Sequence, residues 1–404
     1  MRDGWEIKRL GEVSEIKPTK AEARKKFSGD AFVSFVPMED LGINQKYFNA
    51  TQERLLSAVV GSYTYFADGD VLLAKITPCF ENGKLGIASN LTNGVGFGSS
   101  EYIVFRPDER LNKEWLYYYL SRPSFRFEGA QLMTGAVGHK RVPKEFIESY
   151  SIPVPPLREQ QRIVAILDEA FEGITTSKAN AEKNLKNARA LFDSYLNSVF
   201  SQRGEGWVES VFGNVCGFVR GPFGGSLKKS IFVEDGYAVY EQQHAIYDQF
   251  DDVRYFIDEK KFKEMKRFEL RSNDLIMSCS GTMGRVAIVP EGIRQGIINQ
   301  ALLKLTPTVK VSGAFLKSWM ESQVFQNALK EYAGGAAIQN VASVKILKEI
   351  KVFLPSIKEQ KRIIEELEAL HAETRRLESI YRKKITALDA LKKSILHQAF
   401  TGEL

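Results

Sequence analysis

The chain has 404 residues, enough for two to four domains, and its 44% hydrophobic and 26% charged residues are ordinary for a globular protein rather than a disordered or fibrous one. No apolar run approaches the ~18 residues of a membrane span. The formal net charge of +6 suits a nucleic-acid partner without requiring one. Three cysteines, Cys79, Cys216 and Cys279, show no C-x-x-C spacing and make no disulfide framework. With no apolar leader after Met1, the expectation is a reduced, cytoplasmic protein with no membrane partner.

In chain order, the opening Gly4, Trp5, Gly11 and Val13 leads into about 150 residues rich in aromatic, Gly and β-branched residues. Asp70-Val71-Leu72-Leu73-Ala74 and Glu101-Tyr102-Ile103-Val104-Phe105 read as strands between turn signals, and residues 114–127 read as helix. From Leu157 to Phe200 there is no proline, and only Gly173 could interrupt a helix. Apolar or small residues at Ile163, Leu167, Ala170, Ile174, Ser177, Ala181, Leu185, Ala188, Leu191 and Tyr195 step mostly by alternating fours and threes, a heptad seam.

The chain must then turn at Gly204-Glu205-Gly206, and the pattern begins again. Gly206, Trp207, Gly213 and Val215 repeat the opening at a shift of 202. Asp274-Leu275-Ile276-Met277 and Ala301-Leu302-Leu303-Lys304-Leu305 take the strand positions, and residues 314–332 read as helix. Pro355, Glu359, Gln360, Arg362 and Ile363 repeat Pro155, Glu159, Gln160, Arg162 and Ile163 at a shift of 200. Ser356-Ile357-Lys358-Glu359 has the form of a capping box, and a second seam follows: Ile363, Leu367, Leu370, Thr374, Leu377, Tyr381, Ile385, Leu388, Leu391 and Ile395. A period this long is a duplicated domain.

A helix of roughly 44 residues is about 66 Å long at ~1.5 Å per residue and would expose its seam alone. Two in one chain can bury each other. The intervening domain makes an antiparallel pair with a globular domain at each end the natural closure, whereas helices packed each on its own domain would leave much of the seam bare.

The two copies agree where they should pack and differ in their loops. Lys75-Ile76-Thr77-Pro78-Cys79-Phe80-Glu81-Asn82-Gly83-Lys84 stands against Cys279-Ser280-Gly281-Thr282-Met283-Gly284-Arg285. Ser99 and Ser100 stand against Asn299 and Gln300, and His139, Lys140 and Arg141 against Gln339, Asn340 and Val341. Asn and Gln suit adenine, while Arg and Lys suit guanine or phosphate. The candidate DNA contacts are therefore Lys75, Thr77, Asn82, Lys84, Ser99, Ser100, His139, Lys140 and Arg141 in the first copy. In the second they are Ser280, Thr282, Arg285, Asn299, Gln300, Gln339 and Asn340, with Gln242 and Gln243 beside a strand and Lys228 after a glycine-rich turn. The competing reading makes these ordinary solvated loops.

Enzyme motifs fare poorly. Residues 221–230 lack the Gly-Lys-Ser/Thr of a P-loop, and Gly94-Val95-Gly96-Phe97-Gly98 opens no helix. Asp258, Glu264 and Lys266 lie in a lysine-rich segment better read as a solvated face, and His139, His244, His371 and His397 are scattered. The spacing supports no metal site, cofactor site or nucleophile–base pair.

The run Ile152-Pro153-Val154-Pro155-Pro156-Leu157-Arg158-Glu159-Gln160-Gln161-Arg162-Ile163, its echo at 352–363, the Gly4-Trp5 and Leu10-Gly11 opening, and the ending from Ile395 through Gly402-Glu403-Leu404 resemble the specificity subunit of type I restriction–modification systems. The second opening departs from the first in lacking the Lys8-Arg9 pair. The resemblance spans the whole chain. It implies an α+β protein: two pseudo-repeated α/β target-recognition domains (1–156 and 204–356) separated by two long antiparallel coiled-coil helices (157–203 and 357–404). Also implied are a non-catalytic role, one half-site of a split double-stranded DNA target per domain, and helices that act as ruler and as dock for two methyltransferase subunits, with restriction subunits joining. The expected helix-pair interface is Ile163, Leu167, Ile174, Leu185 and Leu191 against Ile363, Leu367, Leu370, Leu377, Ile385, Leu388, Leu391 and Ile395. The alternative from another class is a protein-interaction scaffold on a coiled coil that reads no bases.

Overall fold

The computed structural model describes residues 4–332 and 344–404. The chain divides into two compact units, residues 1–181 with 383–404, and residues 182–382. The division falls inside the two long helices, Leu157–Gln202 and Ile357–Thr401. Each unit thus holds one mixed α/β domain, the start of one long helix and the end of the other.

In the first unit, Val71–Ala74 and Leu85–Ala88 are buried along their whole length, as continuous apolar runs must be when both sheet faces are covered. They sit inside a five-stranded sheet in the order Ser14–Ile16, Tyr102–Pro107, Val71–Ala74, Leu85–Ala88, Tyr47–Phe48. A four-stranded sheet runs Gln52–Leu55, Phe32–Val36, Val95–Gly98, Thr64–Ala67. Glu6–Arg9 pairs antiparallel with Ser151–Val154, so the opening of the chain closes on the strand that feeds the long helix.

The second unit repeats this plan. Cys216–Arg220, Leu302–Pro307, Leu275–Ser278 and Val286–Ile288 form one four-stranded sheet; Phe232–Val233, Phe256–Ile257, Tyr237–Tyr240 and Gly296–Ile298 form another. Val208–Val211 pairs with Lys351–Leu354.

Each stretch expected as a single helix is two. Residues 114–127 fall in Lys113–Leu120 and Pro123–Gln131, because Pro123 lacks the N–H that would continue the first helix and fits only at the start of the next. Residues 314–332 fall in Gly313–Glu321 and Gln323–Tyr332, separated by the extended, buried Ser322, whose hydroxyl turns back to the Trp319 carbonyl.

A duplicated clamp ties each domain to its helix. The fully buried Gln160 accepts from the Asn112 N–H at 2.8 Å and donates to the carbonyls of Arg110 at 2.8 Å and Pro155 at 2.7 Å. Gln360 does the same in the second unit, with the Ser312 N–H at 2.9 Å and the carbonyls of Lys310 at 3.0 Å and Pro355 at 3.1 Å. Asn112 and Ser312 in turn cap the helices they open. At the second long helix Ser356 accepts from the Glu359 N–H at 3.3 Å, while Glu359 turns its carboxylate to Arg362.

Within each unit the two helical segments run antiparallel. In the first, Arg162 bonds the Leu404 carbonyl and Lys178 pairs with Asp389 at 2.7 Å. In the second, Tyr195 bonds Glu366, His371 stacks on Phe192 with ring centres 4.7 Å apart, and Arg189 pairs with Glu378. Both cores use this arrangement: Ile163, Leu167 and Phe400 join Trp115 in one, and Ile363, Leu367 and Phe200 join Phe315 in the other. Ile174 is also buried, and Leu185, Leu370, Leu377, Ile385, Leu388 and Ile395 are half-buried.

Leu191 and Leu391 do not belong to the seam. They are 54% and 47% exposed, and Phe192 and Lys392 turn inward in their place. A straight helix at 3.6 residues per turn drifts ~20° per heptad against a 3.5 repeat, so the covered stripe passes to the next residue.

Candidate nucleic-acid interface

In the first unit, the loops that follow strands Val71–Ala74 and Val95–Gly98 meet the segment at 134–142. The Lys75 N–H donates to the Glu101 carbonyl at 2.9 Å, the Thr77 N–H to the Lys140 carbonyl at 2.9 Å, and the Val142 N–H to the Lys75 carbonyl at 3.0 Å. Thr134 and Arg141 exchange backbone bonds at 3.0 and 2.8 Å. Lys75, Thr77, Ser99, Ser100, His139, Lys140 and Arg141 therefore share one patch, with Ser100, His139, Lys140 and Arg141 exposed.

The patch is ordered by its own polar contacts. The Arg141 fork straddles Glu101 at 2.9 and 2.7 Å, and that hydrogen bonding holds the Glu101 carboxyl below the usual glutamate range. Lys75 donates to the Ser100 carbonyl at 2.9 Å. Thr77 bonds Glu81 at 3.2 Å, and Asn82 is exposed. Lys84 is spent elsewhere: its ammonium donates to the Met38 carbonyl at 2.6 Å, a tie within the domain. Phe80, fully buried, anchors the loop between them.

The second unit builds the same corner with other chemistry. The Cys279 N–H donates to the Ala301 carbonyl at 2.9 Å, as Lys75 does to Glu101. Its loop is shorter and closes on Ser278, which donates to the Thr282 carbonyl at 2.6 Å and accepts from the Arg285 N–H at 3.0 Å. Ser280 and Gln242 bond each other twice, side chain to side chain and Gln242 amide to Ser280 carbonyl. Asn299 caps its own turn by accepting from the Ala301 N–H at 3.0 Å, leaving Gln300 exposed beside it. Thr282 and Arg285 are exposed. Gln243 bonds the Asp252 carbonyl at 3.1 Å. His244 is a core residue, fully buried between Glu241 and Asp252 backbone groups. Lys228 is exposed, on a run that leaves the strand Cys216–Arg220. Gln339 and Asn340 lie outside the described residues.

Sequence reasoning missed two features. Gly221 passes so close to Asn299 that an added Cβ would stand 1.8 Å from its carbonyl oxygen, which packs the glycine-rich run onto the Asn299–Gln300 corner. Lys17, Lys20 and Lys144 line a cleft with Lys75. These lysines come from three separate stretches of the chain, with no shared motif to link them.

A family profile, type I restriction modification DNA specificity domain, matches residues 2–187 and 205–387. The type I restriction enzyme EcoAI specificity subunit of Escherichia coli is 40% identical over 163 residues, which is 40% of this chain and 27% of that protein. This chain thus spans about a quarter of that relative's length. A chain solved in work on complex assembly and conformational transition of the type I R-M system has a TM-score of 0.77 at 20% identity, covering 100% of this chain and 99% of that one. The HsdS subunit from Thermoanaerobacter tengcongensis has a TM-score of 0.70 at 19% identity, covering 100% and 98%. These two likenesses concern the fold. With both halves of the sequence matched by one profile, the chain belongs to the type I restriction modification DNA specificity domain family.

Proposed function

We propose that the chain is a non-catalytic reader of double-stranded DNA, the specificity subunit of a type I restriction–modification complex. Residues 1–156 read one half-site and residues 204–356 the other, so the target is bipartite and asymmetric. The helical segments 157–203 and 357–404 set the length of the unread spacer, as rigid spacing converts protein length into half-site separation. They also dock two methyltransferase subunits, which flip the target bases, and restriction subunits add cleavage.

One observation carries the reading. The same strand corner occurs twice, closed by the matched bonds Lys75 N–H to the Glu101 carbonyl and Cys279 N–H to the Ala301 carbonyl, and presents Lys75, Ser100 and Arg141 in one copy against Thr282, Arg285 and Gln300 in the other. A scaffold that read nothing would have no use for identical frames with different polar tips. Exchanging residues 1–156 for those of another family member tests this: the complex should keep one half of its target and change the other. A target that survives the exchange intact rejects the reading.

A further inference from the structure

The cleft beside Lys75 has a volume of about 530 Å³. Lys17, Lys20, Lys75 and Lys144 line it together with Tyr63 and Tyr65, and no carboxylate joins them. Lys17 adopts φ +65°, with its N–H bonded to the Val104 carbonyl at 2.8 Å, and among the described residues its ammonium has no ion-pair partner. Lys20 and Lys75 donate to neutral carbonyls, of Gly61 and Ser100, each at 2.9 Å. Only Lys144 has a close carboxylate, Glu148 at 2.7 Å on its own helix. Burial holds the Lys20 and Lys75 ammonium groups below the usual lysine range; the charges of Arg24 and Lys17 add to this at Lys20, while at Lys75 the Glu101 carboxylate opposes it and Lys17 and Arg141 reinforce it.

The fold does not require these charges. Lys17 pairs with the strand that Val219 meets in the second unit, Lys75 stands where Cys279 does, and Lys144 opens the helix that Val344 opens there. Three lysines of one copy are thus neutral in the other. Like charges gathered in a cleft whose lining holds no carboxylate cost free energy that a polyanion offsets.

We propose that this cleft is a phosphodiester anchor, which seats the duplex backbone at the half-site read by residues 1–156 and makes that half of the complex the more salt-sensitive one. The proposal rests on the DNA-reading function above. Its test compares the full chain, assembled with methyltransferase subunits, with its Lys17→Gln/Lys20→Gln/Lys144→Gln variant. Fluorescence anisotropy follows binding to the target duplex and to a random-sequence duplex, over salt from about 50 to 300 mM. At about 0.9 per phosphate contact, the slope of log K against log salt should become shallower by roughly 2 to 3. Affinity for both duplexes should fall by the same factor, leaving the target-to-random ratio unchanged, and the three Lys→Arg substitutions should restore the slope. An unchanged slope, with target preference intact in the unaltered complex, overturns the anchor alone. An unaltered complex that prefers no duplex overturns the DNA-reading function itself.

Discussion

Replacing Gln160 by Leu keeps the side chain's bulk but removes three hydrogen bonds from a site with no solvent access. The Asn112 N–H and the carbonyls of Arg110 and Pro155 lose their partner, and water cannot reach Gln160's place without opening the junction. At about 1 kcal/mol for each lost bond, and more where a buried group stays unpaired, the cost is about 3–4 kcal/mol. That loss should be local. Native-state hydrogen exchange should show weaker protection across Lys113–Leu120 and the first turns of Leu157–Gln202, with Gly313–Glu321 unaffected. Gln360→Leu should give the mirror-image pattern. A cost below about 1 kcal/mol, or equal loss of protection in both units from either variant, would refute the view that these glutamines pin each domain to its own helix.

Arg106 straddles the buried Asp70 at 2.8 Å, so Arg106→Leu should cost the first unit roughly 3–5 kcal/mol in urea denaturation by stranding a buried carboxylate. In the second unit Asp274 takes a hydroxyl from Thr306 at 2.6 Å instead, and Thr306→Val should cost only about 1–2 kcal/mol. Leu391→Glu should be nearly neutral because the side chain is half exposed, whereas Leu167→Glu should unfold the first unit; circular dichroism melts separate the two. Four residues inserted near Asn180 or Asn187 should add about 6 Å of helix at ~1.5 Å per residue and lengthen the preferred spacer in a selection from random duplexes; an unchanged spacer counts against the ruler.

Much of this architecture is legible in the sequence because duplication writes many of the packing residues twice. Pro155 and Pro355, Gln160 and Gln360, and Phe200 and Phe400 stand in matched pairs, and the two glutamines bond backbone groups at equivalent positions. Their role was not legible, since a glutamine in a helix start looks like surface until its three backbone partners are folded around it. The seam is readable along most of its length and slips at Leu191 and Leu391, where drift between 3.5 and 3.6 residues per turn has accumulated. Ser322 broke a helix without a proline to announce it. Among the candidate readers, Lys75 and Ser100 come together, while Lys84, equally close to a strand end, is drawn into a tertiary tie, because loop closure and not residue type decides which polar side chains remain free. The lysines of the cleft come from three distant stretches, and only folding joins them.

The central claim is that two separate units each read part of one target. Methylation profiling of DNA modified by the chain with methyltransferase subunits tests it most directly. The account predicts one motif made of two short, unlike blocks divided by a fixed number of unread base pairs. A single uninterrupted motif, or two identical inverted blocks, would contradict it.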